Sequence, residues 1–478
     1  MLPLKDKDKP LVQKLLAAGC CARCVLRFCC VGLHAAYRQP CQDSLKELQA
    51  FVSDAENGKS EQAAAPEPAE GNSTSHDALE QSVSEAQADG ASRVCVCCLG
   101  ILQQLSEHTQ AVKVCVAVKA ENYEFDSLVL SVSLPAQLCV REVSVYVCVC
   151  VCLLGCVFCW FQSVFEVGVE FTHPETDADC HFLVCSPSLQ SVFTRMAVVK
   201  ALEKIPADKF LKHYPCPPPR PAGSCSFQDV QCLHVAVFVA GRYNKFCRSL
   251  PQTPWVIDGE RRMESSVEEL IAAPILSAFR ADGFNFSSSG REDVDVRTLG
   301  NGRPFAMELL NPHRSRLSRA EMKQLQEAIN KSSDKIRVRD LQIVTREATG
   351  RMKEGEEEKT KSYTALVWTQ KPVQKDDIAF LDEIKELSID QKTPLRVLHR
   401  RALAVRQRLV HSMSTRLLDP HHFYLSLKTQ AGTYIKEFVH GDFGRTKPNL
   451  CELLKTDTDI LELDVESVDV DWPPAIPE

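Results

Sequence analysis

Asp293 and Asp295 stand two residues apart in the stretch Gly290-Arg291-Glu292-Asp293-Val294-Asp295-Val296-Arg297-Thr298-Leu299-Gly300-Asn301-Gly302-Arg303. On an extended backbone their carboxylates share one face. No third acid or metal-type ligand follows at matching spacing, so one of them is expected to act alone. As hard oxygen donors they could instead hold Mg²⁺ in a metal-dependent nuclease. Arg291, Arg297 and Arg303 flank the pair, and a guanidinium can both hold a carboxylate ionised and grip a phosphate. The glycines let the backbone approach a large ligand closely. The plainer reading is a polar loop with a structural Arg–Asp pair, since ion-pair networks are common outside active sites.

Two further side chains invite chemistry. Lys436 sits in an apolar frame of Tyr434, Ile435 and Phe438, where an ammonium without a carboxylate partner would be costly to bury. Tyr363 opens a strand expected over Ser362 to Trp368, where its ring could stack on a base taken out of its helix or pack under the sheet. Far upstream, Cys21/Cys24 and Cys95/Cys98 form two C-x-x-C knuckles, and four thiolates satisfy the tetrahedral preference of a structural zinc ion. Cys20, Cys29, Cys30 and Cys97 blur which sulfurs ligate.

The chain of 478 residues and net charge −7 has length for two to four domains. Its acidity does not advertise a nucleic-acid binder, yet Lys392 to Lys447 holds eleven Lys or Arg against three acids. Such a local basic face can track phosphates. The charged N-terminus lacks a secretory h-region, and 23 cysteines then read as reduced thiols in an intracellular protein.

The elements that must position these residues follow from pattern. A helix is expected over Leu11 to Leu16, and residues 53–92, with nine acids and one lysine, read as a disordered insertion. Val112–Val118 and Ser127–Ser133 read as strands. Val143 to Phe165 is uncharged and long enough to span a bilayer. Its flanks lack a basic cluster, and the Val–Cys alternation favours a buried strand pair over a membrane helix. A third reading, which we prefer, is that a TG dinucleotide repeat has been translated here. Transcript reads spanning the run would reject it.

Tyr214 to Pro221 reads as a stiff Pro-rich linker extending to residue 234. A strand over Val235–Ala240 should then deliver Arg242 and Lys245 as phosphate contacts or a solvated turn. A helix over Ser266 to Phe279, capped by Ser265 and Glu268 and kinked at Pro274, comes next. Ser318 and Glu321 should cap another, with Met322, Leu325 and Ile329 facing the core. Ile336–Val344 and Ser362–Trp368 read as a hairpin with a charged loop at Gly350–Gly355, and Leu461–Val465 as the last strand.

Beyond these patterns, Gly290-Arg291-Glu292-Asp293 resembles the Gly-Arg-x-Asp signature of pseudouridine synthases. Phe284–Ser289, Gly302-Arg303-Pro304-Phe305, Asn311-Pro312-His313-Arg314, Lys361-Ser362-Tyr363 and Gly432-Thr433-Tyr434-Ile435-Lys436 extend the likeness from about Arg242 to the C-terminus. It is nearest to the archaeal and eukaryotic tRNA pseudouridine synthases with an N-terminal zinc and THUMP-containing domain. The resemblance implies an α+β fold: a catalytic domain with a mixed, mainly antiparallel sheet flanked by helices at 235–478, and an accessory α/β part. The latter comprises a zinc-knuckle region at 1–110, a THUMP-containing domain at 111–215 and the linker at 216–234.

By the same likeness Asp293 is the catalyst, Lys436 pairs with it, Tyr363 stacks on the base, and Ile435 packs against it. Leu463 supplies an apolar active-site contact, and Arg291 contacts substrate. Arg351, Lys353, His313 and Arg314 become RNA-contact candidates, although Arg314 could instead pair with Glu308. No cofactor is implied for catalysis, and structural Zn²⁺ is implied for the knuckles. The implied substrate is the TΨC arm of tRNA, at one or both uridines near the start of its loop (tRNA positions 54 and 55). The accessory half would hold the acceptor end. A monomer in nucleus and cytoplasm is expected, with other structured RNAs as further partners. A non-catalytic RNA-binding adaptor is the remaining rival.

Overall fold

The computed structural model describes residues 2–32, 34–53, 93–104, 107–149, 163–183, 193–354 and 359–476. Residues 54–92 of the acidic insertion and residues 150–162 of the Val–Cys run lie outside these. The chain divides into two compact units, Met1–Leu233 and His234–Glu478.

In the first unit, the helix Lys9–Ala17 starts on a proline at its first turn and buries Val12 and Leu15, three residues apart on one face. They share a core with Val25, Leu26 and Leu48 from the helices Ala22–Phe28 and Cys41–Ser53. Strands β1 (Val129–Ser133), β2 (Phe165–Thr172) and β3 (Ser226–His234) form a three-stranded sheet in that order, with β1 parallel to β2. In β2, Phe165, Val167, Val169 and Phe171 are buried and Glu166 and Glu170 are exposed, the alternation a one-sided strand requires.

Three expectations fail here. Val112–Val118 lies in the helix His108–Glu121, where Val114 and Val118, four residues apart, pack beside Phe165 and Val167. Tertiary packing overrides the β-propensity of its valines. The first third of the uncharged run is likewise helical, within Gln137–Val149. That helix is covered on several sides: Val145 and Val149 face one core, Cys139 and Val140 a second, Leu138 a third. A helix covered on several sides shows little 3.6-residue polarity, so alternation could not distinguish it from a strand. Among the described residues no helix is long and apolar enough to cross a membrane. Finally, residues 226–234 of the expected linker are strand β3.

The second unit is built on a ten-stranded sheet. Its strands are β4 (Val237–Lys245), β7 (Gly283–Ser288), β8 (Arg297–Leu310), β9 (Ile336–Val344), β10 (Thr360–Thr369), β11 (Lys385–Lys392), β12 (Val405–Asp419), β13 (His422–Gln430), β14 (Thr446–Lys447) and β15 (Thr458–Val468). The order is β14-β11-β12-β13-β10-β15-β8-β4-β9, with β7 pairing β8 off this path. A small hairpin, β5 (Val256–Ile257) with β6 (Glu260–Arg261), stands apart. Only the β15–β8 contact is parallel among the registers described, so the sheet is mixed and mainly antiparallel. There Asp464 pairs Arg297, and Gly300 (φ +52°) lies so close to Glu466 that a Cβ would overlap its carbonyl.

The expected hairpin is not formed. β9 ends the sheet against β4, whereas β10 lies between β13 and β15. The intervening charged segment is the helix Arg346–Lys353, capped by Thr345; Arg351 is exposed on it. Ser266, not Ser265, caps the helix Val267–Phe279, accepting from the Glu269 amide, and the helix continues through Pro274. The Ser318–Glu321 capping box is present, and Met322, Leu325 and Ile329 are buried. Arg242 and Lys245 lie within β4 and are buried, so they are neither phosphate contacts nor a solvated turn. Arg242 instead donates to five carbonyls, among them those of Val468 at the end of β15 and of Val470 and Trp472 beyond it. Arg314 pairs with Glu321 at 2.5 Å rather than with Glu308, because Glu321 is already turned back by the capping box.

Candidate active site

The loop 289–296 between β7 and β8 presents Asp293. It is rigid for a reason that lies beneath it. Glu292 is buried and forms an ion pair with Arg303 of β8 at 2.7 Å. It also accepts from the Tyr243 hydroxyl at 2.8 Å. Gln252 donates to that hydroxyl, to Ser288 and to the Gly290 carbonyl, and Arg303 donates to the Ser289 carbonyl. The ammonium of Lys245, fully buried, donates to the carbonyls of Asp293, Val294 and Leu250 at 2.8–3.1 Å. Burial lowers its pKa, opposed by the Glu292 charge. Each neighbour of Asp293 is thereby tied to β4 or β8, leaving its carboxylate to project.

That carboxylate, 35% exposed, meets two cations. Arg396 Nη1 lies 2.9 Å from Oδ2 and Lys436 Nζ 3.6 Å from it. Lys436 is closer to Asp295, at 2.7 Å. Burial pushes the Asp295 carboxyl up, but the hydrogen bond and charge of Lys436 outweigh it and hold it below its ordinary value. Arg396 is fixed from behind by Glu437, at 2.7 Å and almost wholly buried. The Arg396 pKa is raised, the charges of Glu437 and Asp293 outweighing the effect of burial. Lys436 and Glu437 belong to the helix Ile435–His440, which directly follows β13.

Asp293 opens onto a cleft of about 610 Å³. Arg291, Tyr363, Ile435, Lys436 and Leu463 line it with Asp293, so the structure brings all six sequence-derived residues together. Tyr363 comes from β10 and is half-buried; burial raises its pKa, against the nearby Arg303 charge. Leu463 comes from β15, and its carbonyl accepts from Arg248 at 2.9 Å. The lining carries eight Lys or Arg against two acids, a charge excess suited to a polyanion. Asp293 and Asp295 are each already paired with a cation of the protein, an arrangement unlike a paired Mg²⁺ site, whose carboxylates face the metal.

The flanking arginines behave otherwise than their spacing implied. Arg303 serves Glu292, Arg297 serves Asp464 at 2.8 and 2.5 Å, and Arg291 reaches Thr253 at 3.4 Å. The nearer positive charge on Asp293 comes from Arg396, which is 103 residues away in sequence. The basic run from Lys392 was its only signal; Arg400, Arg401 and Arg408 of that run also line the cleft.

In the first unit the sulfurs of Cys21, Cys24, Cys95 and Cys98 lie within 4.8 Å of one another, all buried. Cys21–Cys98 and Cys24–Cys95 are 3.8 and 3.7 Å apart. Four sulfurs about 2.3 Å from a tetrahedral zinc would be separated by about 3.8 Å, so the cluster is compatible with structural zinc.

Comparison with known proteins bears on both units. The family model "Pus10, C-terminal" matches residues 238–469, and "Eukaryotic Pus10, N-terminal" matches residues 95–154 and 154–232. The chain is 56% identical over 528 aligned residues to "tRNA pseudouridine synthase Pus10" of Mus musculus, covering 100% of each. The chain belongs to the Pus10 family. The same-named Pus10 protein of Thermofilum pendens is 41% identical over 241 residues, 50% of this chain and 54% of its own. Among solved structures, "Crystal Structure of a Cbf5-Nop10-Gar1 Complex" matches 48% of this chain and 48% of its own at 16% identity and a TM-score of 0.27. The two segments of the Pus10 N-terminal match meet at residue 154, inside the anomalous Val–Cys run.

Proposed function

We propose that this chain isomerises uridine to pseudouridine in the TΨC arm of tRNA, at one or both uridines near the start of the loop, with Asp293 as the catalytic residue. The observation that carries this is one carboxylate paired with Arg396 and Lys436 on the wall of a basic cleft that Tyr363 and Leu463 also line. Isomerisation breaks the bond from uracil N1 to the ribose anomeric carbon, rotates the base and joins C5 to that carbon. The C5 hydrogen leaves as a proton and N1 gains one, so no redox change or group donor is needed. The Asp293 carboxylate either attacks the anomeric carbon or removes a ribose proton to give a glycal. The base must first leave its stack, which costs a few kcal/mol. Tyr363 offers it a ring, Ile435 and Leu463 an apolar wall, and Arg291 a phosphate or sugar contact. We read the first unit as THUMP-containing and as the holder of the acceptor end, in a monomer of nucleus and cytoplasm.

Release of tritium from 5-tritiated uridine in tRNA tests the assignment. The full chain should release it with EDTA present in the assay. Failure to release it from tRNA under any metal condition would overturn the reading, and release that EDTA abolishes without unfolding the protein would favour metal-dependent chemistry.

Zinc at Cys21, Cys24, Cys95 and Cys98 would tie the helix Ala22–Phe28 to the 95–98 segment and contribute folding energy to the first unit. Protein purified without added metal should contain one zinc per chain by mass spectrometry, and Cys24→Ser should lose it together with thermal stability. Wild-type protein with far less than one zinc per chain would refute this.

A further inference from the structure

Beyond the cleft, one exposed ring is left without a task. Phe443 lies in the turn that follows the helix Ile435–His440, and its surface is 92% exposed. Both Asp442 (φ 45°, ψ 51°) and Phe443 (φ 56°, ψ 37°) are left-handed, between Gly441 and Gly444, which are left-handed too. L-residues with a Cβ adopt this region reluctantly, and a bulky one least of all. Such a conformation persists only where surrounding contacts impose it. Here those contacts bypass the ring. Asp442 Oδ2 accepts from the Leu395 amide at 3.2 Å and pairs with Arg445 Nε at 3.4 Å. Arg445 in turn donates to the Thr393 carbonyl at 2.7 Å. Buried polar bonds thus fix the turn, and the phenyl ring is held out in water.

The segment gripped by this turn is the one that walls the cleft. Leu395, bonded to Asp442, precedes Arg396, and Arg400 and Arg401 follow on the same stretch. Leu395 and Leu403 are 45% and 77% exposed, so apolar and cationic groups alternate along it. An exposed ring tied by the Asp442–Leu395 bond to a segment that carries guanidinium groups complements a nucleotide, the cations meeting phosphates while the ring covers a base. We propose that Phe443 is a stacking platform for an unpaired base of the RNA held beside the cleft. This rests on the RNA-modifying reading above and adds a contact outside the reacting nucleotide.

The experiment compares full-length wild type, Phe443→Gly and Phe443→Tyr in tRNA binding and in the KM for tritium release. Glycine removes the ring and accepts the left-handed backbone without strain, so a loss cannot be laid to misfolding. Stacking on one base predicts a Kd for Phe443→Gly raised roughly 5- to 100-fold, with KM rising in parallel and Tyr restoring both. Wild-type affinity in the glycine variant would overturn the proposal and leave a protein partner as the occupant of the ring. So would a loss that Tyr fails to restore. If wild type binds tRNA but releases no tritium, the isomerase reading fails while the Kd comparison still judges the stacking; if it binds no RNA, both fall.

Discussion

Replacing Asp293 with Asn is expected to lower tritium release from tRNA by about 10⁴-fold, on the scale seen when a catalytic group is removed from other enzymes. The amide keeps the shape and cannot act as a nucleophile or base. The fold should tolerate it, because both cations retain partners: Lys436 still has Asp295 at 2.7 Å and Arg396 still has Glu437 at 2.7 Å. Lys245 binds the main-chain carbonyl of residue 293, which the substitution leaves in place. Affinity for tRNA should therefore be held or slightly raised, as one negative charge leaves a cationic cleft. The loss should appear in single-turnover rates at saturating tRNA. Release by Asp293→Asn within tenfold of wild type would eliminate Asp293 as catalyst. Unchanged modification in cells carrying only this variant would point to the non-catalytic adaptor.

How much of this centre could be read from the chain depends on how local each residue's cause is. Asp293 was legible because a short stretch holds the acid, its flanking glycines and the motif together. Lys436 was legible because an ammonium in an apolar frame demands an acid, although Asp295 is the nearer of its two partners. The cysteine quartet was legible from two C-x-x-C spacings, and its four sulfurs do converge. Arg396 was not, since nothing near it in sequence marks it out from ten other basic residues in its run. What selects it is the pairing of β11 with β12 and the Asp442–Leu395 bond, which bring residues 393–397 over the loop of Asp293. Arg303 was noticed for the wrong reason. Its charge is spent beneath the loop on Glu292, a residue whose burial no periodicity announces.

The same distinction separates the elements. Helices with a cap and a stripe, such as Arg319–Ser332, were recoverable because both signals lie within fourteen residues. The strand pair β9 and β10 was not, because partner choice is decided by whole-sheet order. β10 finds Leu425 opposite Ala365 and Phe423 opposite Val367, whereas β9 finds Val239 opposite Ile343. The helices His108–Glu121 and Gln137–Val149 deceived for a third reason: a run of valines reads as a strand by composition, while packing of Val114 and Val118 on one and of Val140, Val145 and Val149 on the other settles them as helices.

Arg303→Met should destabilise the second unit by about 3–5 kcal/mol, because it leaves Glu292 as a buried charge without its partner. For a unit of this size that is a fall of roughly 6–20 °C in the Tm of its transition. Methionine fills most of the volume of the arginine's aliphatic stem, so the cost is electrostatic more than steric. The Tyr243 hydroxyl, at 2.8 Å, satisfies only part of the carboxylate, and the bond to the Ser289 carbonyl disappears as well. Removing the charge on both sides tests the cause. Arg303→Met with Glu292→Leu should regain much of the Tm, since apolar replacement of a buried pair is often neutral. Activity should not return with it, because Glu292 is the residue next to Asp293 and its pairing to β8 sets where that carboxylate stands. Tm and tritium release therefore separate in the double variant if the pair positions the catalyst, and recover together if it serves stability alone. A Tm for Arg303→Met within 2 °C of wild type would reject the account at its first step.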